Sequence, residues 1–119
     1  MAWKTVRLEL ARTPQFPNGS VSRAYLLRLP LNEDGLVDMA AFRANPAYAT
    51  VRRHWPNEAD RSGYLIHKRS GWAFSYEPGE EDDEGVFHLE NHPFHLGDYL
   101  TVREGNGDAL PFRIVRCSS

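Results

Sequence analysis

The sequence predicts a mainly β domain, a small closed or partly open barrel, or a sandwich, of about seven strands. Two short helices are inserted between the second and third strands. Three observations lead there. Apolar residues alternate with polar ones over several short segments, the period of a strand with one buried face. Those segments are separated by turn formers drawn from 9 glycines and 8 prolines. A sheet with one oily face must also close on itself or be covered, and repeated short strands do so most simply as a barrel.

The first strand covers about residues 3–12, where Val6, Leu8 and Leu10 alternate with Arg7 and Glu9. Two prolines and the Asn18-Gly19 pair then break the pattern. The second strand carries Tyr25, Leu27, Leu29 and Leu31 on one face, with Ala24 and Leu26 on the other. After a turn at Asn32-Glu33-Asp34-Gly35 the period changes. Asp38 can cap a helix bearing Met39, Ala40, Ala41 and Phe42, which ends near Asn45 because Pro46 disfavours helix in its predecessor. Pro46 suits the start of a second helix, in which Tyr48, Val51 and Trp55 share a face before Pro56 stops it.

Residues 63–68 and 72–76 read as a hairpin around Arg69-Ser70-Gly71, with Ile66 opposite Phe74, Tyr64 opposite Tyr76 and Lys68 opposite Trp72. A shifted register would pair His67 with Trp72 instead. Strands at 86–91, 99–104 and 110–116 follow, the last two joined by the Gly105-Asn106-Gly107-Asp108 turn. The expected core combines Leu8, Leu27, Ile66, Phe74, Leu89, Leu100 and Ile114.

Residues 1–119 suit a single domain with one core. The lone Cys117 excludes an intramolecular disulfide and a thiolate-rich zinc site, so a reducing, cytoplasmic setting is expected. No signal-peptide pattern opens the chain, and no run approaches the roughly 20 apolar residues that span a bilayer. With 14 basic and 16 acidic residues the net charge is −2, which argues against strong attraction to nucleic acid or to an anionic membrane.

Three clusters could carry function. His88, Glu90 and His92 would share one strand face, with His95 close by, a donor set suited to zinc or iron. Phe87 and Leu89 claim the opposite, core-facing side, which leaves the triplet in solvent without supporting groups. Arg52, Arg53 and Trp55 could hold phosphate and stack a base. Equally, they could end a helix favourably and complete its buried face. The acidic run at residues 80–84, with Asp82 and Asp83 at its centre, lacks the ligand spacing of a calcium loop and suits a solvated, partner-facing loop. Glycine-rich phosphate loops, nucleophile elbows and Cys/His pairings are missing.

The sequence therefore points to a non-catalytic binding or interaction module, with no cofactor and with a protein partner or a second copy as the expected contact. Arg52, Arg53, Trp55, Asp82 and Asp83 are its candidate binding residues. A small metal-dependent barrel enzyme using His88, Glu90, His92 and His95 is the alternative, and an OB-like single-stranded nucleic-acid binder is the third reading.

Overall fold

The computed structural model describes residues 1–69, 71–76, 83–86, 93–104 and 107–119. Eight antiparallel strands form a closed barrel in which every strand neighbours the next along the chain, and the last pairs with the first. They are β1 (Ala2–Leu10), β2 (Ser20–Leu31), β3 (Thr50–His54), β4 (Arg61–Lys68), β5 (Gly71–Ser75), β6 (Glu84–Val86), β7 (Tyr99–Arg103) and β8 (Ala109–Ser118). One helix, α1 (Met39–Ala44), and a 3-10 turn at Pro46–Tyr48 lie between β2 and β3.

Alternation sets the faces. Val6, Leu8 and Leu10 of β1, Leu27 and Leu29 of β2, Leu100 and Val102 of β7, and Phe112 and Ile114 of β8 all point inward and are buried. An eight-stranded barrel is just wide enough for side chains to fill. Here Tyr25 supplies much of the filling, its ring 5.1 Å from that of Phe74 and 4.9 Å from that of Phe112. Burying each such aromatic is worth about 1.5–3 kcal/mol. The ladder is irregular at two places. Leu10 pairs with Ser20 directly after Glu9 pairs with Ala24, and Leu8 pairs with Ile114 directly after Arg7 pairs with Arg116. Bulges of this kind bend strands and help a sheet to curl.

The two ends of the barrel differ. One is stopped by apolar groups: Val37, Phe42 and Phe94 are all buried, and the Phe42 ring meets Trp72 edge-on at 5.0 Å. Helix α1 starts as expected, with Asp38 Oδ1 accepting a 3.0 Å bond from the Ala41 amide, and Asn45 ends it. At the other end the interior turns polar.

Two expectations are corrected. The second helix is absent beyond its first turn, for residues 50–54 form β3, and this raises the strand count to eight. Val51 fits a helical face and a strand face equally, but β-branched Thr50 and Val51 favour a strand, and β3 fills a place between β2 and β4. The hairpin also adopts the shifted register, with His67 opposite Trp72 and Lys68 opposite Gly71. Gly71 sits at φ +127°, which favours glycine. Leu65 therefore enters the core at 1% exposure opposite Phe74, and Ile66 moves to the outer wall. Leu89, the strand expected at 86–91 beyond Val86, and the centre of the acidic run lie outside the described residues.

Candidate binding site at the polar mouth

Strand polarity brings the start of β2, the end of β3, the end of β5, the start of β6 and the end of β7 to one mouth of the barrel. Each contributes a polar side chain at an inward position. Arg53 follows Val51 on the inner face of β3, and Glu84 precedes Val86 on that of β6. Gly63 makes room for the end of β5. A Cβ there would collide with the carbonyl oxygen of Ser75 and come within 2.8 Å of Tyr76 Cα. Only a residue without a side chain lets that backbone lie so close.

Glu84 is the centre of the cluster, 2% exposed. Its Oε2 accepts a 3.0 Å bond from the Tyr25 hydroxyl, and its Oε1 accepts one of 2.5 Å from the Tyr76 hydroxyl. Arg53 Nε stands 3.5 Å from Glu84 Oε2, while its other nitrogens lie 3.4 Å from Glu58 Oε1 and 3.6 Å from Glu104 Oε1. The guanidinium also lies 3.8 Å above the Trp55 ring, which meets Tyr25 edge-on. Arg61 caps Tyr76 in the same way at 4.4 Å. Cations over aromatic faces gain from the ring quadrupole, more so when water is excluded.

The surroundings set the protonation states. Burial, reinforced by the negative Glu84, pushes both tyrosine hydroxyls well above their ordinary range, so Tyr25 and Tyr76 act as neutral donors. Burial works against the charge on Arg53, but Glu84, Tyr25 and Glu58 together outweigh it and the guanidinium is held more firmly protonated than usual. Glu104 moves the other way. Burial raises its carboxyl above the ordinary value, with Glu84 and Asp108 adding to the rise and Arg53 opposing it.

The cluster contains more negative groups than positive ones. Three carboxylates surround one guanidinium at distances longer than a good charge-assisted bond. Glu104 Oε1 is buried with no hydrogen-bond partner among the described residues, and Arg53 Nε likewise has none. A buried acceptor left unpaired costs about 1–3 kcal/mol. The mouth is thus a place where an added donor, above all a cationic one, gains.

Of the residues singled out from sequence, Arg53 and Trp55 are in contact, and both belong to this cluster. Arg52 and Arg53 part company, because successive strand residues face opposite ways. The Arg52 side chain is 61% exposed on the outer wall, with Nε 3.0 Å from Asp60 Oδ2. Asp60 also bonds His54 Nδ1 at 2.8 Å, and that bond, helped by Arg52, lowers its carboxyl below the usual value. Asp83 is packed down rather than displayed, its Oδ2 taking a 3.1 Å bond from Lys68. Asp82, His88, Glu90 and His92 lie outside the described residues. His95 is well exposed and stands 3.9 Å from Asp98 Oδ2. Among the described residues no three His, Cys, Asp or Glu side chains gather as a metal site.

Comparison with protein families, with curated proteins and with solved structures finds no match. The geometry of the mouth stands alone as the guide to function. Sequence reasoning missed Tyr25, Tyr76, Glu58 and Glu104 as members of a site, and placed Glu84 only as the end of a solvated acidic run. The available signal was Glu84, which closes the acidic run in strand register with Val86 and so points into the barrel. No helix among the described residues is long and apolar enough to cross a membrane.

Proposed function

We propose that the chain is a non-catalytic binding module that receives a cationic group of a partner protein at the polar mouth of its barrel. One observation carries this reading: Glu104 Oε1 is a buried acceptor with no bonded partner among the described residues, inside a cluster where three carboxylates share one guanidinium. A lysine or arginine side chain would supply both the missing donor and the missing charge. The faces of Trp55 and Tyr76 already hold two such cations of the chain's own. Glu58, whose side chain is half exposed, gives the incoming group a first contact at the rim.

The nucleic-acid reading is weakened by the same contacts. Arg53 and Trp55 are engaged with each other, Arg52 with Asp60, and the surplus acid at the mouth repels phosphate. The metal-enzyme reading draws no support from the one described member of its donor set, His95, which stands 3.9 Å from Asp98 Oδ2 and joins no group of three ligating side chains among the described residues.

Calorimetric titration with short peptides of matched length, one rich in Lys and Arg and one rich in Asp and Glu, tests the proposal. The basic peptide is expected to bind, more weakly as salt rises, and Glu58→Gln with Glu104→Gln should reduce its affinity at least fivefold without lowering the melting temperature. Equal binding of both peptides, or of neither, would overturn it.

A further inference from the structure

The outer wall of the barrel carries two neighbouring concavities, remote in chemistry from the polar mouth. The first, about 460 Å³, lies across β2, β3 and β4, where Leu26 forms part of an apolar floor and Arg28 and Arg52 stand at the sides. The second, about 480 Å³, lies between the 3-10 turn and β4, and is walled by Phe42, Pro46, Ala47 and Ile66, with His67 at its edge. Tyr64 lines both, its ring 52% exposed on the ridge between them. Each volume is within the range usual for small-molecule sites.

Strand register fixes this arrangement. Arg52 pairs with Leu26 on one side and Ser62 on the other, and Thr50 pairs with Tyr64, so the charged dent and the Tyr64 ridge are one step apart along β3 and β4. The short hydroxyl side chains of Thr50 and Ser62 leave the depression. Both cations have donors to spare. Arg28 uses Nη1 on Thr5 Oγ1 at 3.0 Å and Arg52 uses Nε on Asp60 at 3.0 Å, and no other hydrogen bond of either guanidinium occurs among the described residues. Arg28 and Arg52 against Asp60 leave a local balance of one positive charge. Among the described residues, the apolar dent beyond Tyr64 presents His67 as its sole ionisable side chain apart from Tyr64.

We infer that these two dents form one site for a free single-chain amphiphile, its oxyanion head between Arg28 and Arg52 and its apolar tail over Tyr64 into the Phe42–Pro46–Ile66 dent. One unbalanced cation matches one carboxylate, and guanidinium binds a carboxylate or a phosphate monoester bidentately. A concave, divided depression suits a single molecule, whereas a bilayer needs an apolar surface that protrudes.

The test is a two-dimensional amide NMR titration of the full chain with sodium octanoate below its micellar concentration. Saturable shifts are expected at residues 50–52 and 64–67. Octyl phosphate should bind at the same residues, while octanol and octylammonium should bind at least tenfold more weakly. The double variant Arg28→Gln with Arg52→Gln should lose octanoate affinity at least tenfold, and Ala47→Glu should block the tail, both at unchanged melting temperature. Octanol binding as well as octanoate, shifts centred on Trp55 and Glu104, a preference for anionic phospholipid vesicles over free octanoate, or no saturation would each overturn the inference.

Discussion

Replacing Arg53 with Met asks whether the polar mouth is held by its one cation. Met approximates the length and apolar stem of Arg and keeps a contact with Trp55, but it removes the charge. Glu84 would then remain 2% exposed beside Glu104, with tyrosine hydroxyls as its side-chain donors among the described residues. Breaking a buried ion pair by removing one partner typically costs about 3–5 kcal/mol, since a charge stays buried without its counterpart. For a chain of this length each kcal/mol moves the melting temperature by about 4 °C, so the expected fall is about 12–20 °C at neutral pH. Acid should repair much of it. Without the guanidinium the Glu104 carboxyl, already raised by burial, loses the cation that opposes the rise, and a carboxyl raised on folding destabilises above its folded value and ceases to do so once protonated. Scanning calorimetry from pH 4 to pH 8 measures this directly. A fall of less than about 4 °C, with a pH profile parallel to that of the parent chain, would refute the assignment of Arg53 as the electrostatic centre.

Other substitutions probe the same end. Glu104→Gln should remove a pH step: the raised carboxyl binds protons more tightly when folded, so the parent's stability falls as pH rises from the unfolded value through the folded one, and the variant's should not. Urea unfolding at pH 4.5 and pH 7.5 measures the difference. Gly63→Ala should be the most damaging single methyl in the barrel, because the obstructing atoms are backbone of Ser75 and Tyr76 rather than a flexible side chain; overpacking of this sort costs about 1–3 kcal/mol or more. A urea midpoint equal to the parent's would show that β5 can move aside.

Much of the barrel is legible because its strands obey a simple alternation. Val6, Leu8 and Leu10, or Leu100 and Val102, have polar neighbours, and nothing but a half-buried strand suits them. Helix α1 is legible through Asp38 and Pro46, residues whose chemistry acts within a single turn. Where two periods fit the same residues, local reasoning fails. Tyr48, Val51 and Trp55 satisfy a helix, Val51 and Arg53 a strand, and an arginine at an inward position disguises the alternation that would have decided it. Leu65 and Ile66 are both apolar, so either register of the hairpin gives a reasonable core, and the choice falls to pairing across the sheet.

The site is harder to read than the fold for a related reason. Arg53 and Trp55 announce themselves, but Tyr25 and Glu84, which bond to each other, are 59 positions apart, and nothing local marks one as the other's partner. Glu104 reads as an ordinary polar residue closing the strand expected at 99–104. Its raised carboxyl arises from burial, from Glu84, which the pairing of β6 with β7 brings near, and from Asp108, whose carbonyl accepts a 2.8 Å bond from the Glu104 amide.

The seam between β1 and β8, which joins Thr5 to Ser118 and Leu10 to Phe112, sets the order in which the molecule can be completed. As the chain leaves a ribosome, β1 finds its first neighbour early, in β2, yet its second edge stays open until residues 109–118 have been made. A meander paired before then would have two free edges and an apolar concave face, the kind of species that recruits chaperones or strands of other chains. Closure also joins parts of the chain that are nearly its full length apart, which places the final step among slow, topology-limited events. The vulnerable interval of this protein is therefore its birth, and it ends when the last strand docks against the first.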